Sequence, residues 1–186
     1  MYMKRQNLIF YFILAILSVI TISRKDNYAC DEISSFELAN FPVDYYIFSS
    51  DSLYHPAQGK CFFNEEPYSP PSSLWNQVLS AHKDNCFDYK NVFSNQAIDV
   101  HPPFYYCILH TICSFTPHKH SIWQGEIINL LFILATLFAL QLLASSLISN
   151  RLQVSIILAF FAISPAILDS VVLIRMYIVA MFFVVI

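Results

Sequence analysis

The chain has 186 residues, 56% hydrophobic and 12% charged, with two glycines, a formal charge of −3 and a mean hydropathy of +0.52, which excludes an ordinary soluble domain and describes a membrane protein. Charge is segregated: 11 of the 13 acids lie between Asp26 and Asp99, whereas from Ser121 onward only Glu126, Arg151, Asp169 and Arg175 are ionisable. Lys60, Lys83 and Lys90 are the only bases between Asp26 and His101, so that stretch carries −8, which argues against nucleic acid as a partner.

Leu8 to Ile22 is apolar, with Lys4 and Arg5 before it and Arg24 and Lys25 after. No small-x-small cleavage site follows, so it reads as an uncleaved first transmembrane span, residues 1–22, with a cytoplasmic N-terminus. Residues 23–125 are then expected outside, as a large extracytoplasmic loop. Pro42, Pro56, Pro67, Pro70 and Pro71 divide its first half into short pieces. Its aromatics, Phe36, Phe41, Tyr45, Tyr46, Phe48, Phe62, Phe63, Trp75, Phe87 and Phe93, suit either a membrane interface or the core of a small subdomain. Ser72 to His82 has the spacing of a short amphipathic helix behind a serine cap.

The polar half closes with Asp99-Val100-His101-Pro102-Pro103-Phe104-Tyr105-Tyr106. The prolines hold His101 extended and let a helix start just beyond. Asp99 and His101, two apart on an extended strand, project to the same face, a carboxylate beside an imidazole. Phe104 to Phe115 is too short to span and reads as a helix at the outer surface or a re-entrant one. Ile127 to Ile148 is uncharged and long enough to cross. Asn150-Arg151 makes a polar turn on the cytoplasmic side, and Leu152 to Leu168 returns outward with a kink at Pro165. Residues 126–186 therefore read as a transmembrane bundle of which Met176 to Ile186 begins a fourth span, so the chain is expected to be a fragment of a longer product.

Two features bear chemistry on residue type alone. Asp31-Glu32 places two carboxylates side by side, either a solvated acidic turn or a cation-holding or proton-accepting pair. Arg175 stands among apolar neighbours, where a guanidinium needs an anion or water, and its fork suits a phosphate. His118-x-His120 lies in a Pro/Lys loop and no Cys-x-x-Cys occurs, which argues against zinc. Cys30, Cys61 and Cys86 face an oxidising exterior, where one pair could bridge, while Cys107 and Cys113 read as small apolar fillers.

In order and membrane context, three stretches resemble the N-terminal part of a bacterial family 39-type glycosyltransferase. They are Asp31-Glu32 after the first span, the Asp99 to Tyr106 motif closing the outer loop, and Ser164-Pro165 followed by Arg175-Met176-Tyr177. That is an integral membrane enzyme of the GT-C class, related to protein O-mannosyltransferases and aminoarabinose transferases. The resemblance implies an all-α, GT-C-like transmembrane bundle with short interfacial helices in its first loop. It implies transfer of a hexosyl or pentosyl group from a polyprenyl-phosphate donor to a lipid, glycan or protein acceptor at the extracytoplasmic face of the cell membrane. Asp31 and Glu32 would be catalytic. Asp99, His101, Arg175 and Tyr177 would bind substrate, Arg175 at the donor phosphate. No cofactor is assigned; a divalent metal held by loop acids is the alternative source of positive charge. The chain departs from the family pattern at Glu126, where an arginine usually follows the tryptophan by three residues. It departs again at Val171-Val172-Leu173-Ile174, where Ser-Gln-Glu-Ala is frequent. The fragment alone is not expected to be active. The competing expectation is a non-catalytic membrane protein, or an inactive remnant, whose outer loop binds a cell-envelope partner.

Overall fold

The computed structural model describes residues 5–41, 54–55, 60–61, 76, 79–97, 99 and 101–186. Among the described residues, eight helices carry the architecture: α1 (Arg5–Ser23), α2 (Cys30–Asn40), α3 (Tyr89–Ala97), α4 (Phe104–Ser114), α5 (Ile122–Leu147), α6 (Arg151–Ile163), α7 (Pro165–Val171) and α8 (Tyr177–Val185). A two-residue antiparallel pair, β1 (Tyr54–His55) and β2 (Lys60–Cys61), joins Tyr54 to Cys61 and His55 to Lys60. The chain divides into two compact units, one of residues 1–27 with 125–186 and the other of residues 28–124.

In the first unit α1 packs along α6 and α7. Leu14 and Ile22 of α1 share a core with Ile133 and Leu137 of α5, Val154, Leu158 and Ala162 of α6, Val171 of α7 and Ile178 of α8. Tyr11 donates to Gln141 Oε1 at 2.8 Å, tying α1 to α5. The outward side chains are also apolar, among them Phe12 and Ile16 of α1, Leu131 and Phe138 of α5, Phe160 of α6 and Val184 of α8. Exposed apolar side chains on several helices of one unit are of the kind that a partner protein or lipid covers. Among the described residues, α5 is the one single helix long and apolar enough to cross a membrane. α6 and α7 pass the same test together but are bent by 50°, and Asn7–Ser23 is a shorter apolar helix. Of the three complete spans expected, one is thus an uninterrupted helix of sufficient length, and the returning span is broken.

Local chemistry explains where these helices begin. α5 starts at Ile122 rather than Ile127 because Ser121 and Gln124 cap it reciprocally. Ser121 N–H donates to Gln124 Oε1 at 3.0 Å and Trp123 N–H to Ser121 Oγ at 3.3 Å. Asn150 caps α6, its Oδ1 accepting from Leu152 N–H at 3.0 Å. α7 restarts with Ser164 at the N-cap and Pro165 in its first turn, a position where proline's missing N–H costs nothing. Between α7 and α8 the backbone leaves the helix from Val172 to Met176.

In the second unit α2 packs against α3 and α4. Phe36, Leu38, Leu79, Val92, Tyr105, Tyr106, Leu109 and Cys113 are buried. α4 begins one residue past Pro103, as the proline pair requires. Phe36 belongs to the core, whereas Phe87 and Phe93 are exposed, so the loop aromatics do not act as one set. Tyr45, Tyr46, Phe48, Phe62, Phe63, Trp75 and most of the helix expected over Ser72 to His82 lie outside the described residues. Cys30 and Cys86 are free thiols, and the side chain of Cys61 is outside the described set. Cys113 is fully buried, which pushes its thiol up to about 12 and makes it a poor nucleophile.

Candidate functional site

The residues singled out by sequence are divided between the units. Asp31, Glu32, Asp99 and His101 belong to residues 28–124, whereas Arg175 and Tyr177 belong to the other unit.

Asp31 and Glu32 occupy the first turn of α2, where negative charge complements the helix dipole. The two carboxylates part company there. Glu32 is 2% exposed, and its Oε2 accepts from Ala29 N–H at 2.7 Å, satisfying one of the unpaired donors at the helix start. Asp31 is exposed. A pair legible in sequence as one acidic feature is therefore one helix cap and one carboxylate open to solvent.

Asp99 and His101 meet as their spacing suggests: Nδ1 lies 2.8 Å from Asp99 Oδ2, with both side chains mostly buried. A carboxylate at Nδ1 fixes the proton there and turns Nε2 into the basic nitrogen. Pro102 and Pro103 restrict the backbone that presents it.

Arg175 is 8% exposed, its guanidinium 5.9 Å over the Tyr177 ring, so two of the residues expected to bind substrate are neighbours. The residues that hold the surrounding backbone were not among those expected at the site. Lys25, two residues past α1, bonds Glu126 Oε1 at 2.8 Å and also donates to the carbonyl of Val172. Asn129 Nδ2 donates to Val171 O at 2.9 Å and Leu173 O at 2.8 Å, with Glu126 Oε2 at 3.4 Å. Because carbonyls only accept, this fixes the amide orientation. Lys25 and Glu126 are 9% and 0% exposed at the side chain. Gly125 completes the contact, since a Cβ there would fall 2.3 Å from Ile174 Cγ2. Three signals pointed this way in the sequence: a departure from the family pattern at Glu126, an asparagine inside an apolar run, and one of only two glycines beside it.

The second unit also holds a neutral polar cluster. Asn85 Nδ2 donates to Asn40 O at 2.8 Å, His82 N–H donates to Asn85 Oδ1 at 2.7 Å, and Asn40 Nδ2 donates to Leu79 O at 3.1 Å. His110 lies 1% exposed between Asn40 Oδ1 at 3.2 Å and Asn85 O at 3.1 Å. Oxygen neighbours at both nitrogens favour the protonated ring, but burial outweighs them and lowers the pKa of His110 below its ordinary value. His120, whose Nε2 lies 2.6 Å from Tyr28 Oη, is likewise lowered by burial. These histidines belong to the packing of the unit. Among the described residues, no group of three or more His, Cys, Asp and Glu side chains could hold a metal ion. Compared with models of protein families, with characterised proteins and with solved structures, the chain matches none.

Proposed function

We propose that this chain contributes the N-terminal part of a multi-pass membrane glycosyltransferase, GT-C-like and family 39-type. It would use a polyprenyl-phosphate sugar at the extracytoplasmic face, with residues 28–124 on that side. Arg175 carries the reading: a buried guanidinium, beside Tyr177 and set where an otherwise apolar pair of helices is interrupted, is suited to an anion at the membrane boundary. The exposed apolar surfaces of α1, α5, α6 and α8 support the membrane setting.

The reaction is inverting transfer. A carboxylate takes the proton of an acceptor hydroxyl or amine as that atom attacks the anomeric carbon. The bond from that carbon to the phosphate oxygen breaks, and the lipid phosphate leaves with the electron pair. Arg175 offsets its charge. Asp31, open to solvent at the start of α2, is the base in this scheme. Glu32 supports the turn that presents it, and Asp99 and His101 are substrate-binding residues in the same proposal.

General-base help is worth on the order of 10²- to 10⁴-fold, so Asp31→Asn should lower turnover by that amount with donor affinity nearly unchanged. Glu32→Gln should cost less. Small and equal losses from both would remove the acidic turn from catalysis and pass the role of base to His101, tested by His101→Asn.

A further inference from the structure

From α7 to α8 the chain exposes three successive carbonyls, those of Val171, Val172 and Leu173, that no regular helix satisfies. Leu173 O is partly met by the N–H of Arg175 itself, at 2.7 Å. Non-helical backbone at membrane depth persists only where protein groups or a water-filled cavity satisfy it. Here each carbonyl has a side-chain donor: Asn129 for Val171 and Leu173, Lys25 for Val172. Glu126 holds the Lys25 ammonium in place, and the bare Cα of Gly125 lets Ile174 close against α5. Three of the carbonyls leading into Arg175 are therefore gripped from α5 or from Lys25, just past α1, and the side chain of Ile174 closes against Gly125.

We infer that Lys25, Glu126 and Asn129 form a clasp that positions Arg175, so that phosphate recognition by this chain depends on residues that do not themselves touch the phosphate. The inference rests on the reading of Arg175 as the donor-phosphate ligand and names what makes that ligand effective. A long, flexible arginine binds an anion well only when its rotamer and backbone are already fixed, because ordering it on binding opposes affinity. Asn129, Lys25 and Glu126 are positioning residues in this account.

The test is a double-mutant cycle on the full chain in phospholipid nanodiscs, read as binding of polyprenyl phosphate, which isolates the phosphate from the sugar. Arg175→Ala and Asn129→Ala should each weaken binding by about tenfold or more, the equivalent of losing one charge-assisted hydrogen bond. The double variant should bind no worse than Arg175→Ala alone, because Asn129 acts through Arg175. Additive losses, or an Asn129→Ala protein that binds like the parent, would overturn the clasp while leaving Arg175 as a phosphate ligand. An Arg175→Ala protein that binds normally would overturn the phosphate reading itself. If Asn129→Ala does not fold, Lys25→Met combined with Glu126→Leu removes the bond to Val172 without stranding a charge. It should weaken binding in the Arg175 background-dependent manner just described, and additivity would again refute the proposal.

Discussion

The two units solve one problem with amides, and the apolar unit adds a charged pair. Each contains irregular backbone that must be buried, and each supplies donors to its carbonyls from side chains distant in sequence. In residues 28–124 the donors are neutral: Asn40, Asn85 and Asn95, the last reaching Phe41 O at 2.9 Å and Leu38 O at 3.2 Å, with His110 kept uncharged by its burial. In the apolar unit the corresponding donors are Lys25, held by Glu126, and Asn129. Neutral amides are cheap to bury once bonded. A charged pair carries a desolvation cost that often cancels its attraction, so its presence at Val172 points to a role in placing the segment around Arg175 rather than in stability.

The sharpest way to break this comparison is to strand one charge. Lys25→Met leaves the Glu126 carboxylate buried without its cation and should destabilise the apolar unit by about 3–5 kcal/mol, measured by denaturation in mixed micelles. Adding Glu126→Leu should recover most of that loss. A single variant no less stable than the parent would mean that water reaches Glu126 and that the pair is not buried in practice.

The neutral cluster should respond more gently. Asn85→Ala leaves Asn40 O and His82 N–H without their side-chain partner and should cost about 1–3 kcal/mol, read from hydrogen exchange of the α4 amides. A loss larger than that of Lys25→Met would reverse the ranking of the two clusters.

Acidification should give the smallest effect and the most selective one, because all six histidines lie in residues 28–124. His110 and His120 titrate below the ordinary 6.5 when folded. The unfolded chain therefore takes up protons first. Their contribution to stability is whole above about pH 6.5 and is lost as pH falls through and below it, toward the folded values. Hydrogen exchange at pH 7 and pH 5.5 should show weaker protection of α4 at the lower pH. A protection pattern independent of pH would mean that the two rings take up protons equally in the folded and unfolded chain, so that burial does not lower them.

The sequence by itself determined the features whose physics is local. The break between polar and apolar stretches follows from composition, the start of α4 from two prolines that fix φ, and the meeting of Asp99 with His101 from the two-residue repeat of an extended chain. The kink at Ser164-Pro165 is local in the same way. Asp31 and Glu32 were legible as acids but not as a cap and an exposed carboxylate, because that distinction depends on where α2 begins and on what covers its first turn. Tertiary structure alone decided the rest. Lys25 and Glu126 are 101 residues apart, and Asn129 and Leu173 are 44 apart, so no periodicity or spacing rule connects them. They were brought together by apolar packing of α1, α5, α7 and α8, which is non-directional and selects partners by shape. The polar groups then paired because burial left them no water.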